Sequence, residues 1–253
     1  MANRVHRVRR FGMAYAIPLV FILRDAPKSE EAARIPKVSP VRAATELLTN
    51  VAFILLVLYF TLPALAGWVV RDWMPAILKQ QFNIGQGKAG VAATLYWQAA
   101  AIMGAIGGGW LADRWMQHHN RGRIFVSAIG MCLIIPAMFG VGNAGTLTVA
   151  IAFLILFGLG WGFFDCNNMP ILCLIVRPEL RATGYGIMNL VSISCGGLAD
   201  WGFGEMRDRG VPLNIIFSVF ATAAIVSVVL VLLIRPKLEL IPVRKPEEPA
   251  PTG

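Results

Sequence analysis

The 253-residue chain is 57% hydrophobic and only 15% charged, with a mean hydropathy of +0.64, values outside the soluble range that leave length no guide to soluble domains. Its formal charge of +9 does not point to nucleic acid, because the Lys and Arg residues lie mostly in short segments between apolar runs, where membrane proteins concentrate them. The four cysteines, Cys132, Cys166, Cys173 and Cys195, all fall inside apolar runs without CxxC or His-rich spacing, so they read as small packing residues and no metal site is expected.

Residues 1–23 hold four arginines in Met1 to Arg10 and then the 13-residue apolar run Phe11 to Leu23. The pattern imitates a signal peptide, but the charged Arg24-Asp25-Ala26-Pro27 offers no small-residue cleavage site. The remnant of a truncated span is preferred to an interfacial helix or a true signal. Residues 24–50 carry Pro27, Pro36 and Pro40 among mixed charges and read as a solvated linker.

Five apolar runs follow: Val51 to Val70, Ala89 to Ala112, Ile124 to Val141, Thr146 to Val176 and Gly210 to Ile234. A sixth, Ala182 to Gly204, is interrupted only by Asp200. Crossing roughly 30 Å of hydrocarbon takes about 20 helical residues, and backbone polar groups in lipid must be satisfied within the segment. The fold class expected is therefore an all-α membrane protein, a six-transmembrane-helix bundle over residues 51–234 with a short N-terminal apolar helix, and its first partner is the lipid bilayer. The tail, residues 235–253, is Pro- and Glu-rich from Pro242 and reads as disordered.

With the linker inside, the inner segments hold Arg24, Lys28, Arg34, Lys37, Arg42, Arg114, Arg121, Arg123, Arg177, Arg181, Arg235, Lys237, Arg244 and Lys245. The outer segments hold Arg71, Lys79, Lys88, Arg207 and Arg209. This bias places linker and tail in the cytoplasm, in a plasma (inner) membrane.

Between the second and third spans, Gly108-Gly109-Trp110-Leu111-Ala112-Asp113-Arg114 ends a helix, and Arg121-Gly122-Arg123 follows a short turn. Glycines let helices approach, and the arginines hold the loop in the cytoplasm. The stretch resembles the signature loop of the major facilitator superfamily, with Trp115-Met116-Gln117-His118-His119-Asn120 lengthening the turn. Arg177-Pro178-Glu179-Leu180-Arg181-Ala182-Thr183-Gly184-Tyr185-Gly186 resembles that family's short inner loop before its eleventh helix. The segment from Tyr59 through Pro63, Trp68, Trp73 and Pro75 to Leu78 resembles its seventh helix and outer end. The resemblance implies the family's C-terminal half: the end of helix six at Phe11 to Leu23, the central linker, and helices seven to twelve in two inverted triplets, Val51 to Val141 and Thr146 to Ile234. It also implies a missing N-terminal half, met by Asp113, or a second copy in its place.

Polar groups inside spans are where function is sought, because an ionisable group in lipid is costly. Asp165 leads, with Gly158, Gly162 and Asn168 on one helical face. It can bind a proton, a sodium ion or a cationic substrate, or make a structural hydrogen bond helped by Asn167 or Asn168. Tyr185, Asn189, Ser192, Gly196 and Asp200 form a stripe that fits cavity lining as well as small-polar helix packing, with Asp200 near the outer, solvated end. Tyr96 and Gln98 are two positions apart and cannot both face one cavity. Arg71 can attract an anion at an outer rim, or form an interfacial pair with Asp72 beside Trp68 and Trp73, the reading preferred at that depth. Gly104 and Gly108, like Gly158 and Gly162, read as helix contacts. His118 and His119 read as loop residues in water.

No phosphate-binding Gly-Lys-Ser/Thr loop, Gly-x-Ser-x-Gly or His-Glu-x-x-His motif occurs, so neither an ATP-driven pump, an enzyme nor a cofactor is expected. The function expected is secondary transport of a small organic solute, by resemblance an anion, coupled to a proton or ion. The competing reading is a non-transporting half-bundle that serves as a partner or sensor.

Overall fold

The computed structural model describes residues 39–240 and Pro18. The expectations for the N-terminal apolar run and for the tail beyond residue 240 lie outside the described residues. Among them are seven α-helices, two 3-10 turns and no strand. The helices are α1 (Pro40–Leu48), α2 (Val51–Phe82), α3 (Gln86–Met116), α4 (Gly122–Gly142), α5 (Leu147–Ile175), α6 (Arg181–Asp208) and α7 (Leu213–Leu233).

Helices α2, α3, α4, α5 and α7 are long and apolar enough to cross a bilayer. The sixth long helix, α6, has 28 residues, about 42 Å at 1.5 Å per residue. It is the least apolar of the six, with Ser192 and Gly196 of its polar stripe buried against other helices and Tyr185 exposed. This is the six-helix bundle of an integral membrane protein.

Two boundaries differ from those read in the sequence. Helix α2 continues twelve residues past Val70 to Phe82, because Met74, Ile77 and Leu78 keep burying one face beyond Arg71 and Asp72. It stops at Asn83, which takes a left-handed C-cap with φ 49°, a conformation asparagine tolerates. Within the linker, Pro40–Leu48 is helical: Pro40 occupies the first helical turn, where its missing N–H costs nothing, and Ala43 and Leu47 bury one face. The start of the tail is likewise tied down, as the Lys237 N–H donates to the Leu174 carbonyl at 2.9 Å.

The helices of the two triplets pair mainly across, not within, the triplets. Helix α3 packs most extensively on α5, and its counterpart α6 on α2. Helix α4 lies on α5 and α2 on α7, while α4 and α7 meet each other. Exchanging α2 with α5, α3 with α6 and α4 with α7 leaves this pairing scheme unchanged, as an inverted repeat requires. No residue-level repeat betrays it in the sequence.

Glycines set the closest contacts. Gly104 and Gly108 of α3 abut Leu159 and Phe163 of α5, while Gly158 and Gly162 of α5 abut the Trp97 and Ala101 backbone of α3. On another face of α5, Gly160 and Gly130 of α4 are each other's nearest backbone neighbours. Lipid tails are as apolar as side chains, so helices in a bilayer associate through such close van der Waals fit rather than a hydrophobic gain. A side chain at Gly158 would meet the Trp97 carbonyl, whereas one at Gly109 would enter open space. Gly158→Leu is expected to lower stability by about 1–3 kcal/mol or more, the cost of overpacking, with Gly109→Ala near neutral; thermal unfolding in detergent checks both.

Candidate functional site

A cavity of about 550 Å³ opens between α2, α3, α5 and α6, four helices drawn from both triplets. The lining comprises Phe60, Ala64, Gly67, Trp68 and Arg71 from α2, Trp97 and Gln98 from α3, Trp161, Phe164 and Asp165 from α5, and Asn189, Ser192 and Ile193 from α6. Spacings of three and four put the α2, α5 and α6 sets each on one side of its helix, while α3 contributes two adjacent residues.

Two glycines seat the aromatic walls. The Trp161 ring lies where a Cβ on Gly67 would be, and the Trp68 ring where one on Gly196 would be. Trp161 is further held by rings at 5.3 Å from Phe164, 5.7 Å from Phe157 and 6.4 Å from Trp97, centroid to centroid. Phe164 also stacks on Phe60 at 6.0 Å. Such tilted and edge-on arrangements fix ring orientation as well as filling space.

Asp165 lies ten residues before the last residue of α5, about 15 Å along the helix and so near the middle of a bilayer core. Its Oδ1 accepts from the Asn168 amide at 3.5 Å. Among the described residues no cationic side chain forms an ion pair with it. Arg71 lies at the outer part of the cavity, 3.7 Å from the Asp72 carboxylate and 4.8 Å above the Trp68 ring centre. On α6, the Asp200 carboxyl stands near both Asp72 and Arg71, and its Oδ1 is buried with no hydrogen-bond partner among the described residues.

Of the residues singled out in the sequence, Arg71, Gln98, Asp165, Asn189 and Ser192 thus share one cavity. Asn168 is buried beneath Asp165 rather than lining it. Tyr96 lies in a separate pocket with Lys88 and Leu147, on the opposite side of α3 from Gln98. Tyr185 is exposed and outside the cavity. Asp200, read as a solvated residue near the outer end, stands near Asp72 and Arg71. Sequence reasoning missed Trp97, Trp161 and Phe164 and placed Trp68 at the interface, although Trp161 and Asp165 already share a helical face at a spacing of four.

The signature loop forms a clamp at the other end of the bundle. Arg123 pairs with Asp113 at 2.5 Å and donates to the Asn167 side-chain oxygen at 3.2 Å, joining the ends of α3 and α4 to α5. Arg121 donates to the carbonyls of Leu232 and Ile234 at the end of α7, where unpaired carbonyls and the helix dipole attract a cation. Arg114 lies 6.0 Å from the Trp110 ring centre, and a Cβ on Gly109 would meet nothing within 4 Å among the described residues. The end of α5 is closed in the same way: Arg181 donates to the Cys173 and Val176 carbonyls, and Asn50 to Ile175. Arg177 forms a forked pair with Glu46 of α1, whose hydrogen bonds and charge push the guanidinium above its ordinary pKa. His118 and His119 line a surface pocket with Trp115 and Phe125, and among the described residues no group is arranged to hold a metal.

The family model of the Major Facilitator Superfamily matches residues 11–199, three quarters of the chain. The chain belongs to the Major Facilitator Superfamily. Among solved structures, a bacterial homolog of the human lysosomal transporter Spinster, in an inward-facing and unoccupied conformation, resembles this superfamily member at a TM-score of 0.56 and 18% identity. The match covers 87% of this chain and 54% of that one, so the likeness is one of fold and the chain spans about half the length of that relative. No curated protein matches it. Membership of this superfamily points to a transporter rather than an enzyme.

Proposed function

We propose that the chain is one half of a secondary active transporter for a small organic solute, with coupling to a proton or ion at Asp165. The observation that carries this reading is the cavity: a mid-depth carboxyl without an ionic partner among the described residues, walled by helices of both inverted triplets. An ionisable group at that depth is costly unless it faces water, a substrate or a coupling ion. Transporters built of inverted repeats place their sites at that depth, between elements that rock against each other. The half corresponds to the C-terminal one by the resemblance of its inner loops and first long helix, and the 54% of the Spinster homolog that is covered supports its being about half of such a protein.

One six-helix half supplies one wall of such a pathway. Asp113 keeps most of its side chain exposed despite its pair with Arg123, leaving it free for a neighbour. The complementary surface comes from an N-terminal half or from a second copy. The solute is not assigned as an anion, because Arg71, the group that would draw one, is already engaged by Asp72 and Trp68.

The transport reading is tested with vesicles. The 253-residue chain alone is expected to give no uptake; with a complementary half it supports gradient-driven accumulation, which Asp165→Asn abolishes while membrane insertion stays normal. Uptake by a demonstrated monomer would contradict the half-transporter reading, and unchanged accumulation in Asp165→Asn would reduce Asp165 to a packing residue.

The clamp residues lie at the end of the bundle that carries most of the basic residues, and the positive-inside bias makes that end cytoplasmic, in a plasma (inner) membrane. Cysteines introduced between Arg114 and Arg123 are then labelled only from the cytoplasm, and those between Gly142 and Gly145 only from outside. Labelling of the Arg121 loop from outside would invert the orientation.

A further inference from the structure

We propose that the α2–α3–α5–α6 cavity is a site for organic cations: a quaternary or otherwise positively charged nitrogen or phosphorus centre carrying an apolar or aromatic body. The inference rests on reading this cavity as the solute site, and it names the class of solute. Two independent features of the lining lead to it.

The first is the arrangement of charge. Asp165 and Arg71 line the cavity, and two further carboxyls, Asp72 and Asp200, stand beside Arg71. Arg71 lies 3.7 Å from the Asp72 carboxylate and over Trp68, so its charge is shared with the carboxyls next to it. Asp165 has the Asn168 amide as its hydrogen-bond partner and, among the described residues, no cationic side chain in an ion pair with it. The lining carboxyl without a cationic partner is therefore Asp165, and charge in the cavity interior is screened less than at its mouth.

The second is the cavity wall. Phe60, Trp68, Trp97, Trp161 and Phe164 surround the space, and the glycine seats at Gly67 and Gly196 hold two of the indoles in place. Ring faces attract cations and repel anions, and desolvated cation–π contacts with tryptophan are the strongest of the kind. One contact of this type is already formed within the protein, by Arg71 on Trp68. Gln98, Asn189 and Ser192 supply neutral hydrogen-bonding groups around the rings, enough to orient a polar substituent without adding charge. A cavity of about 550 Å³ falls within the range of small-molecule sites, roughly 300–1,000 Å³. An anion placed here would face Asp165 and the ring faces, and the one guanidinium of the lining, Arg71, already has the Asp72 carboxylate beside it.

The test is binding, so it does not depend on transport. The purified chain in nanodiscs is titrated with tetraphenylphosphonium and, separately, with its near-isosteric anion tetraphenylborate, followed by tryptophan fluorescence after subtraction of protein-free nanodiscs. Saturable quenching by the phosphonium is expected, weakened at least tenfold in Asp165→Asn and largely retained in Asp165→Glu, with any response to the borate unchanged or stronger in Asp165→Asn. Equal or tighter borate binding by the unaltered chain would overturn the proposal, as would phosphonium binding indifferent to Asp165→Asn. Phosphonium binding without uptake in the reconstituted transporter would leave the cation site standing and count against transport. Uptake of an anionic solute with no phosphonium binding would do the reverse.

Discussion

The close backbone approach of α5 to α3 and α4 is the constraint from which the rest of the architecture follows. Gly158 and Gly162 admit the Trp97 and Ala101 backbone, and Gly160 admits Gly130, so α5 is gripped on two sides without any bulky side chain intervening. In a bilayer, where apolar surface gains nothing by leaving lipid, such fit is a main source of helix association. Once α5 is fixed, its remaining residues have no rotational freedom. Trp161, Phe164 and Asp165 must then project where α2 and α6 leave room.

The basic end of the bundle is secured by a different means. There, Arg121, Arg181 and Asn50 satisfy the final carbonyls of α7 and α5, and Arg123 ties Asp113 to Asn167. Apart from the contact of Arg123 with the buried Asn167, these contacts are polar and lie at helix termini, so they can be broken and remade at lower cost than the close glycine contacts in the middle. The division suits a protein whose central packing stays fixed while its ends exchange partners. It also accounts for the signature loop in physical terms: one acid and two arginines gather the ends of α3, α4 and α7 and tie them to Asn167 within α5.

Much of this was legible in the sequence because the bilayer imposes length and polarity rules on every span. The six runs match the six long helices to within a few residues at most ends, and the small-residue pairs at Gly104, Gly108, Gly158 and Gly162 read as contacts. The course of α2 beyond Arg71 and Asp72 was not legible. A charged pair after an apolar run usually marks an interface, and only the tertiary burial of Met74, Ile77 and Leu78 shows the helix going on. The linker helix was hidden for a related reason, since its stability comes from docking Ala43 and Leu47 and from the Glu46–Arg177 pair rather than from its own composition. Within the site, the spacing of Asn189 and Ser192 pointed to a shared face, but which face meets a cavity is a matter of helix rotation. The aromatic wall escaped notice because tryptophan and phenylalanine in a span are ordinarily lipid-facing or packed residues. The meeting of Asp72 with Asp200 joins helices over a hundred residues apart and has no local signature.

The central claim is that Asp165 faces a water-accessible cavity rather than lipid or a dry helix contact. The most direct measurement replaces it with cysteine, in a background from which Cys132, Cys166, Cys173 and Cys195 have been removed, and compares its reaction with charged, water-soluble methanethiosulfonates and with a lipid-soluble maleimide in reconstituted protein. The account predicts modification by the water-soluble reagents, faster with the cationic than with the anionic one. Reaction with the lipid-soluble reagent alone, or with neither, would contradict it.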